Sequence, residues 1–305
     1  MAHFAAAIAA LSAGAAVVAT RFVVGETDPI ALAFYRYVIG TCCLVPFLPF
    51  IWPKHKIALS EFGKIAVLGV LFFGFFPWAF NASLQYIPAA RGAVGLATIP
   101  IQTLIVAVMF GREKLTPGKL TGVVLAFAGI AAVFGPEAMD LSTSNYFIGD
   151  GLMLLGAFSA ALYSVFGRTT IARHGPLFVT TLAMVFAVLA LFPWAYLYSG
   201  VTGIPEFSKE GWSAVLFLGT FAGAIQFSLF TWALRWLSPT TTVLYLTLNP
   251  ITAILLGVLL IGESLSFALV TGLIFVLAGI LIGNGVVSGL WRKPIWKIQP
   301  PSADS

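Results

Sequence analysis

Charge is the scarcest ingredient of this 305-residue chain: Asp, Glu, Lys and Arg together supply 9% of it. A soluble domain carries about 25% charged residues, so a water-facing globular fold is excluded. Cysteine is nearly missing. Cys42 and Cys43 are adjacent within one apolar run, where packing and not a disulfide is the expected role. Histidine is limited to His3, His55 and His174, all near the ends of apolar segments. No His or Cys cluster has metal-ligand spacing, no pair of carboxylates falls inside an apolar run, and no serine or cysteine dyad stands out. These absences argue against a catalytic centre, a bound metal or a cofactor. They also remove the membrane-embedded acidic relay that proton-coupled pumps usually need, which favours movement down a gradient or coupling through the substrate itself.

What fills the chain instead is hydrophobic sequence, 60% of residues with a mean hydropathy of +1.00. A bilayer core of about 30 Å takes about 20 helical residues per crossing. Ten segments meet that length: Ala2 to Val24, Pro29 to Ile51, Glu61 to Leu84, Pro88 to Gly111, Pro117 to Phe134, Phe147 to Thr169, Pro176 to Ser199, Gly211 to Arg235, Pro239 to Gly262 and Leu265 to Ser288. Their apolar character is continuous, without the alternation that barrel strands show, so helices are expected. The Ala-rich first segment lacks the basic start of a secretory signal and has a counterpart later in the chain, so it reads as a helix. The expected fold is an all-α membrane protein with ten transmembrane helices.

Basic residues set the expected orientation. With the amino terminus in the cytoplasm, Lys54, Lys56, Lys64, Arg112, Lys114, Lys119, Arg168, Arg173, Arg235, Arg292, Lys293 and Lys297 fall inside. Only Arg21, Arg36, Arg91 and Lys209 fall toward the outside. Both termini are then cytoplasmic, and residues 291–305 form a cytoplasmic tail. The net charge of +5 is topological, and no nucleic-acid partner is expected.

An internal repeat organises the segments. Shifting residues 80–130 by 150 positions gives 13 identities in 51 ungapped positions, among them Pro100 with Pro250, Glu113 with Glu263, Gly122 with Gly272 and Gly129 with Gly279. A shift of 147 pairs Ser12 with Ser159, Arg21 with Arg168 and Pro29 with Pro176. The chain therefore divides into residues 1–135 and 146–290, five helices each. Five is odd, so the second half enters the membrane from the opposite side and the repeats are related by an axis in the membrane plane. Inverted repeats that exchange conformations are transporter logic.

Two inverted fives, with the Gly262-Glu263-Ser264-Leu265 segment and Gly272 and Gly279, resemble the drug/metabolite transporter superfamily of the EamA type over essentially the whole chain. Within it the chain is most similar to bacterial exporters of aromatic and other neutral amino acids. The resemblance implies an inner (plasma) membrane transporter that exports small amphipathic metabolites by alternating access through a central cavity. Its partners would be a small-molecule substrate and the lipid bilayer, and a monomer, holding both repeats, suffices in principle. The alternative is a lipophilic drug or cation exporter, against which the lack of an embedded carboxylate argues. Two positions depart from the family pattern: Arg112 stands where a glycine precedes the glutamate, and Ala13-Gly14 stands where many members carry Trp-Gly.

Polar residues inside a bilayer face protein or water, and i, i+4, i+7 spacing shows which share a helix face. Gly74, Trp78, Asn81 and Gln85 form one stripe, and Arg91, Gly95, Thr98 and Gln102 another. The ninth segment contributes Thr241, Tyr245, Asn249 and Thr252, the eighth Gln226, Ser228, Thr231 and Trp232, and the sixth Ser159 and Tyr163. The candidate substrate-binding set is Trp78, Asn81, Thr98, Gln102, Tyr163, Gln226, Tyr245 and Asn249. The competing role for each polar stripe is hydrogen bonding between helices. Pro100 and Pro250, at equivalent mid-helix sites, are candidate hinges, or static kinks that curve the helices around a void. Arg36, seven residues beyond Pro29, either snorkels to the outer interface or binds a substrate carboxylate.

Overall fold

Prolines and short polar caps open the helices. In the computed structural model, which describes residues 1–23, 26–83, 86–87, 95–138, 146–198, 207–249, 252, 256 and 267–283, α1 spans Ala2–Val23 and α2 spans Pro29–Ile51. Asp28 caps α2, its carboxylate accepting from the Ile30 N–H at 2.8 Å, with Pro29 in the first turn where a missing N–H costs nothing. Next come α3 (Leu59–Ser83), α4 (Ile99–Met109), α5 (Pro117–Ala138), α6 (Tyr146–His174) and α7 (Pro176–Tyr198). The Ser208 hydroxyl caps α8 (Lys209–Trp236) by accepting from the Gly211 N–H, and the Ser238 hydroxyl caps α9 (residues 239–249, α-helical over Pro239–Leu244 and 3-10 over Tyr245–Thr247) by accepting from the Thr241 N–H. The α10 helix is Phe267–Gly283.

Six of these helices, α1, α2, α3, α6, α7 and α8, are long and apolar enough to cross a membrane; α4, α5 and α10 carry shorter apolar stretches over their described residues. No strand occurs among the described residues. The chain is an all-helical, multi-pass membrane protein.

The repeat reappears in backbone geometry. A π-helical turn at Val70–Phe75 interrupts α3, and a second at Thr220–Ile225 interrupts α8, 150 residues on. Each follows a glycine that lets another helix come close. A Cβ on Gly69 would lie 2.6 Å from the Ala183 carbonyl of α7, and one on Gly219 would lie 2.5 Å from Ile39 Cβ and 3.0 Å from the Arg36 carbonyl of α2. Arg36 and Ala183 are themselves repeat mates, so the two contacts are one contact with the halves exchanged. The exchange holds elsewhere: α1 packs on α8 as α6 packs on α3, while α2 packs directly on α7 and α5 on α10.

The α5–α10 contact carries the clearest signature. A Cβ on Gly122 would meet the Gly279 carbonyl at 2.7 Å, and one on Gly129 would meet the Gly272 carbonyl at 2.8 Å. As one residue number rises the other falls in step, so the helices run antiparallel. Gly122 and Gly272 are repeat mates, as are Gly129 and Gly279, which makes the contact self-complementary about a local two-fold axis passing between the helices. Small residues permit this approach where van der Waals contact, and not water exclusion, holds helices together.

Candidate functional site

The main apolar core lies between α2, α3, α6, α7 and α8, where Tyr37, Phe73, Tyr163 and Phe227 meet at ring-centroid distances of 4.9 to 6.3 Å. Beside it lies a cavity of about 130 Å³, bordered by α1, α2, α3, α6, α8, α9 and the residues leading into α4. Its wall is assembled from repeat mates: Ala13 with Ala160, Phe76 with Gln226, Phe80 with Phe230, Leu96 with Leu246, Ala97 with Thr247 and Ile99 with Asn249. The cavity therefore sits on the axis that relates the halves. Its chemistry is not symmetric. At three pairs of mates the second repeat has a polar side chain, Gln226, Thr247 and Asn249, where the first has Phe76, Ala97 and Ile99, while Arg36 and Asn81 of the first repeat and Phe227 and Phe230 of the second also line the space.

Arg36 adds a charged group to the lining. Its Nη2 donates to the Ala222 carbonyl at 3.0 Å, inside the π-turn and midway along α8. Close packing of α2 on α8 at Gly219 brings this part of α2 alongside the π-turn, and Arg36 borders the cavity there. Among the described residues no carboxylate pairs with it.

Of the other sequence candidates, Asn81, Gln226, Asn249 and Pro100 border the cavity. Asn81 also donates through Nδ2 to the Pro29 carbonyl at 3.3 Å. Trp78 does not border it; its ring lies against Phe75 at 5.6 Å. Thr98 and Gln102 are drawn into helix packing. The Gln102 Nε2 donates to the Thr98 hydroxyl at 3.0 Å and to the Leu154 carbonyl of α6 at 3.4 Å. Tyr163 is fully buried one layer behind the wall, stacked on Phe72 at 4.4 Å. The Tyr245 hydroxyl lies 3.0 Å from His3 Nδ1 and ties the start of α1 to α9. Ser159, Ser228 and Thr231 hydroxyls bond carbonyls of their own helices. Gln85, Arg91 and Pro250 lie outside the described residues.

Both proline sites coincide with loosened backbone. Ahead of Pro100, residues Ala97 and Thr98 form a turn before α4 resumes at Ile99. Ahead of Pro250, a 3-10 turn occupies Tyr245–Thr247. A proline cannot donate to the carbonyl four residues earlier. Those residues are Leu96 and Leu246, and both line the cavity. Loosened helix turns beside the cavity leave backbone carbonyls there free to meet a solute.

Sequence reading passed over the phenylalanines Phe72, Phe76 and Phe80, which border the cavity at steps of four. Their spacing was the available signal.

The halves are also tied at each end of the bundle. At one end the Glu113 carboxylate accepts from the Thr240 N–H at 2.9 Å and pairs with Lys119. Beside it, Arg168 Nε donates to the Leu237 carbonyl at 2.8 Å. At that end Glu61 also meets Arg173 and His174, and His55 Nε2 lies 2.9 Å from His174 Nδ1. At the other end the Glu26 carboxylate accepts from both the N–H and the hydroxyl of Ser208, at 2.9 and 2.8 Å.

Fold and cavity define a polytopic helical membrane protein with an amphipathic chamber between two like halves. The chain matches the EamA-like transporter family over residues 1–135 and 147–284; it belongs to that family and is a membrane transporter of the drug/metabolite superfamily. It is 26% identical to an uncharacterized transporter of Archaeoglobus fulgidus, covering 88% of this chain and 93% of that one. It is 24% identical to the uncharacterized transporter YyaM of Bacillus subtilis (93% and 92% covered) and 28% identical to the uncharacterized inner membrane transporter YedA of Escherichia coli (81% and 78%). A solved crystal structure with 18% identity superposes at a TM-score of 0.78 over 95% of this chain and 99% of the other, which shows a shared fold.

Proposed function

We propose that the protein is an inner-membrane carrier that exports small amphipathic metabolites, foremost aromatic and neutral amino acids, by alternating access. In this reading ten transmembrane helices form two inverted five-helix repeats, residues 1–135 and 146–290, and both termini lie in the cytoplasm. One observation carries the substrate class: a cavity lined by repeat mates that combines a few polar groups, Arg36, Asn81, Gln226, Thr247 and Asn249, with the rings of Phe72, Phe76, Phe80, Phe227 and Phe230. Solutes with a polar head and an apolar body match such a wall. No Asp or Glu borders the cavity among the described residues, which disfavours the alternative of a cation-selective drug exporter and leaves no carboxylate there for proton coupling.

The test is counterflow of labelled phenylalanine in proteoliposomes without a proton gradient. Saturable uptake accelerated by internal solute is expected, and a channel would show no such trans-stimulation. Ala13 borders the cavity on α1, where its small side chain leaves the space open. Ala13→Trp would place an indole in a space of only about 130 Å³ and is expected to cut counterflow at least tenfold while the protein stays monodisperse. Undiminished counterflow by a well-folded Ala13→Trp carrier would show that solute does not pass this chamber.

A further inference from the structure

Three buried polar atoms on residues of the cavity wall have no hydrogen-bond partner: Arg36 Nε, Gln226 Oε1 and Asn249 Oδ1. Native proteins satisfy nearly all such atoms, so three on the lining residues of one cavity mark what a ligand bound there can supply. They form a specific set. Arg36 brings a permanently charged donor, and the two amides bring neutral acceptors.

A simple anion would satisfy Arg36 and leave both amide oxygens without donors. A simple cation would satisfy the amides and face the guanidinium at close range. An α-amino acid zwitterion answers both, its carboxylate accepting from Arg36 and its ammonium donating to the amide oxygens. Its side chain then has Phe72, Phe76 and Phe80 along the wall. A zwitterion is also net neutral, so its passage moves no charge against the membrane potential.

A purely structural role for Arg36 would be to clamp the π-turn of α8 through the Ala222 carbonyl. The fold itself argues against that need. The equivalent π-turn of α3 forms beside Ala183, which has no polar side chain to offer. Arg36 is thus a charged departure from the repeat, placed where the cavity is.

Resting on the carrier reading above, we infer that Arg36 anchors the substrate carboxylate, with Gln226 and Asn249 receiving the α-ammonium, so that the site selects free α-amino acids over their amine and acid analogues. The experiment uses three probes in competition with labelled phenylalanine: unlabelled L-phenylalanine, L-phenylalaninamide, which lacks the carboxylate, and 3-phenylpropanoate, which lacks the ammonium. The wild-type carrier is expected to favour the amino acid by about tenfold or more over each analogue. Arg36→Gln should weaken phenylalanine and phenylpropanoate by about tenfold or more and leave the amide within about twofold. Gln226→Leu should weaken phenylalanine and the amide while sparing phenylpropanoate.

Equal loss of all three probes in Arg36→Gln would reduce the arginine to a clamp on α8 and overturn the inference. Equal treatment of the three probes by the wild-type protein would overturn it without any variant, so the conclusion does not depend on Arg36→Gln folding. If the wild-type carrier moves phenylalaninamide as well as phenylalanine, only this inference falls. If it moves none of the three, the amino acid carrier reading falls too.

Discussion

Gly279→Leu is expected to yield a carrier that does not hold its two halves together. A Cβ at this position would lie 2.6 Å from the Gly122 carbonyl and 2.8 Å from the Ala126 backbone nitrogen, and neither atom can rotate away. Side-chain overpacking in a core costs about 1–3 kcal/mol. Here the obstruction is backbone on both helices, so α5 and α10 must separate and lose contact along their length. A cost of about 3 kcal/mol or more follows, a fall of roughly 6–12 °C in the midpoint of thermal unfolding in detergent. Gly129→Leu should behave alike, because its Cβ would meet the Gly272 carbonyl in the mirrored contact. Gly151→Leu on α6, where a Cβ meets nothing within 4 Å, is the control and should be tolerated. A Gly279→Leu protein with wild-type melting would mean that this antiparallel seam does not support the fold.

Helix positions were legible because hydropathy and punctuation agree. Pro29, Pro117, Pro176 and Pro239 each begin a helix where the sequence marks a start, and Ser208 caps α8 as a small hydroxyl should. The repeat was legible too, and the π-turns lie 150 residues apart, the same shift that aligns the sequences.

Which face of each helix meets the cavity was harder to read, for a local reason. Periodicity groups residues by face but does not say which neighbour a face meets, and the π-turn in α3 and the 3-10 stretch in α9 shift the phase between the turns on either side of them. In α3 the stripe drawn through Gly74, Trp78 and Asn81 shares only Asn81 with the cavity wall, which runs through Phe76, Pro77 and Phe80 instead. In α9 the wall passes through Leu246, Thr247 and Asn249 and leaves Tyr245 to meet His3. Thr98 and Gln102 show a second limit. A polar pair at i, i+4 is the same sequence signal whether it faces solute or the Leu154 carbonyl of a neighbouring helix. Only the partner decides. Arg36 is the same case, since its partner is the Ala222 carbonyl of another helix and no pattern around residue 36 announces it.

Glu113→Ala is expected to release the end of the bundle at which α8 turns into α9. Gly111, with φ of +63°, reverses the chain after α4, and the Arg112 and Glu113 N–H groups then donate to the Ala107 carbonyl. That turn aims the Glu113 side chain, 3% exposed, at the first N–H groups of α9. A carboxylate there satisfies a free donor and opposes the positive end of the helix dipole. Arg168 of α6 holds the Leu237 carbonyl three residues earlier, so a helix of one repeat and the α4–α5 turn of the other grip both sides of one short turn. Removing Glu113 leaves Lys119 and the Thr240 N–H without their shared acceptor, a loss of about 3 kcal/mol for a buried pair. If this turn must part for the pathway to open at this end, that energy shifts the balance between closed and open forms by roughly 100-fold. A cysteine placed at Ala97 on the cavity wall should then react faster with a membrane-impermeant thiol reagent from the Glu113 end, in a background with Cys42 and Cys43 replaced by alanine. Glu113→Gln, whose amide oxygen can still accept from Thr240, should give an intermediate rate. Equal labelling in all three proteins, with melting lowered only in Glu113→Ala, would make Glu113 a structural cap and place the gate elsewhere.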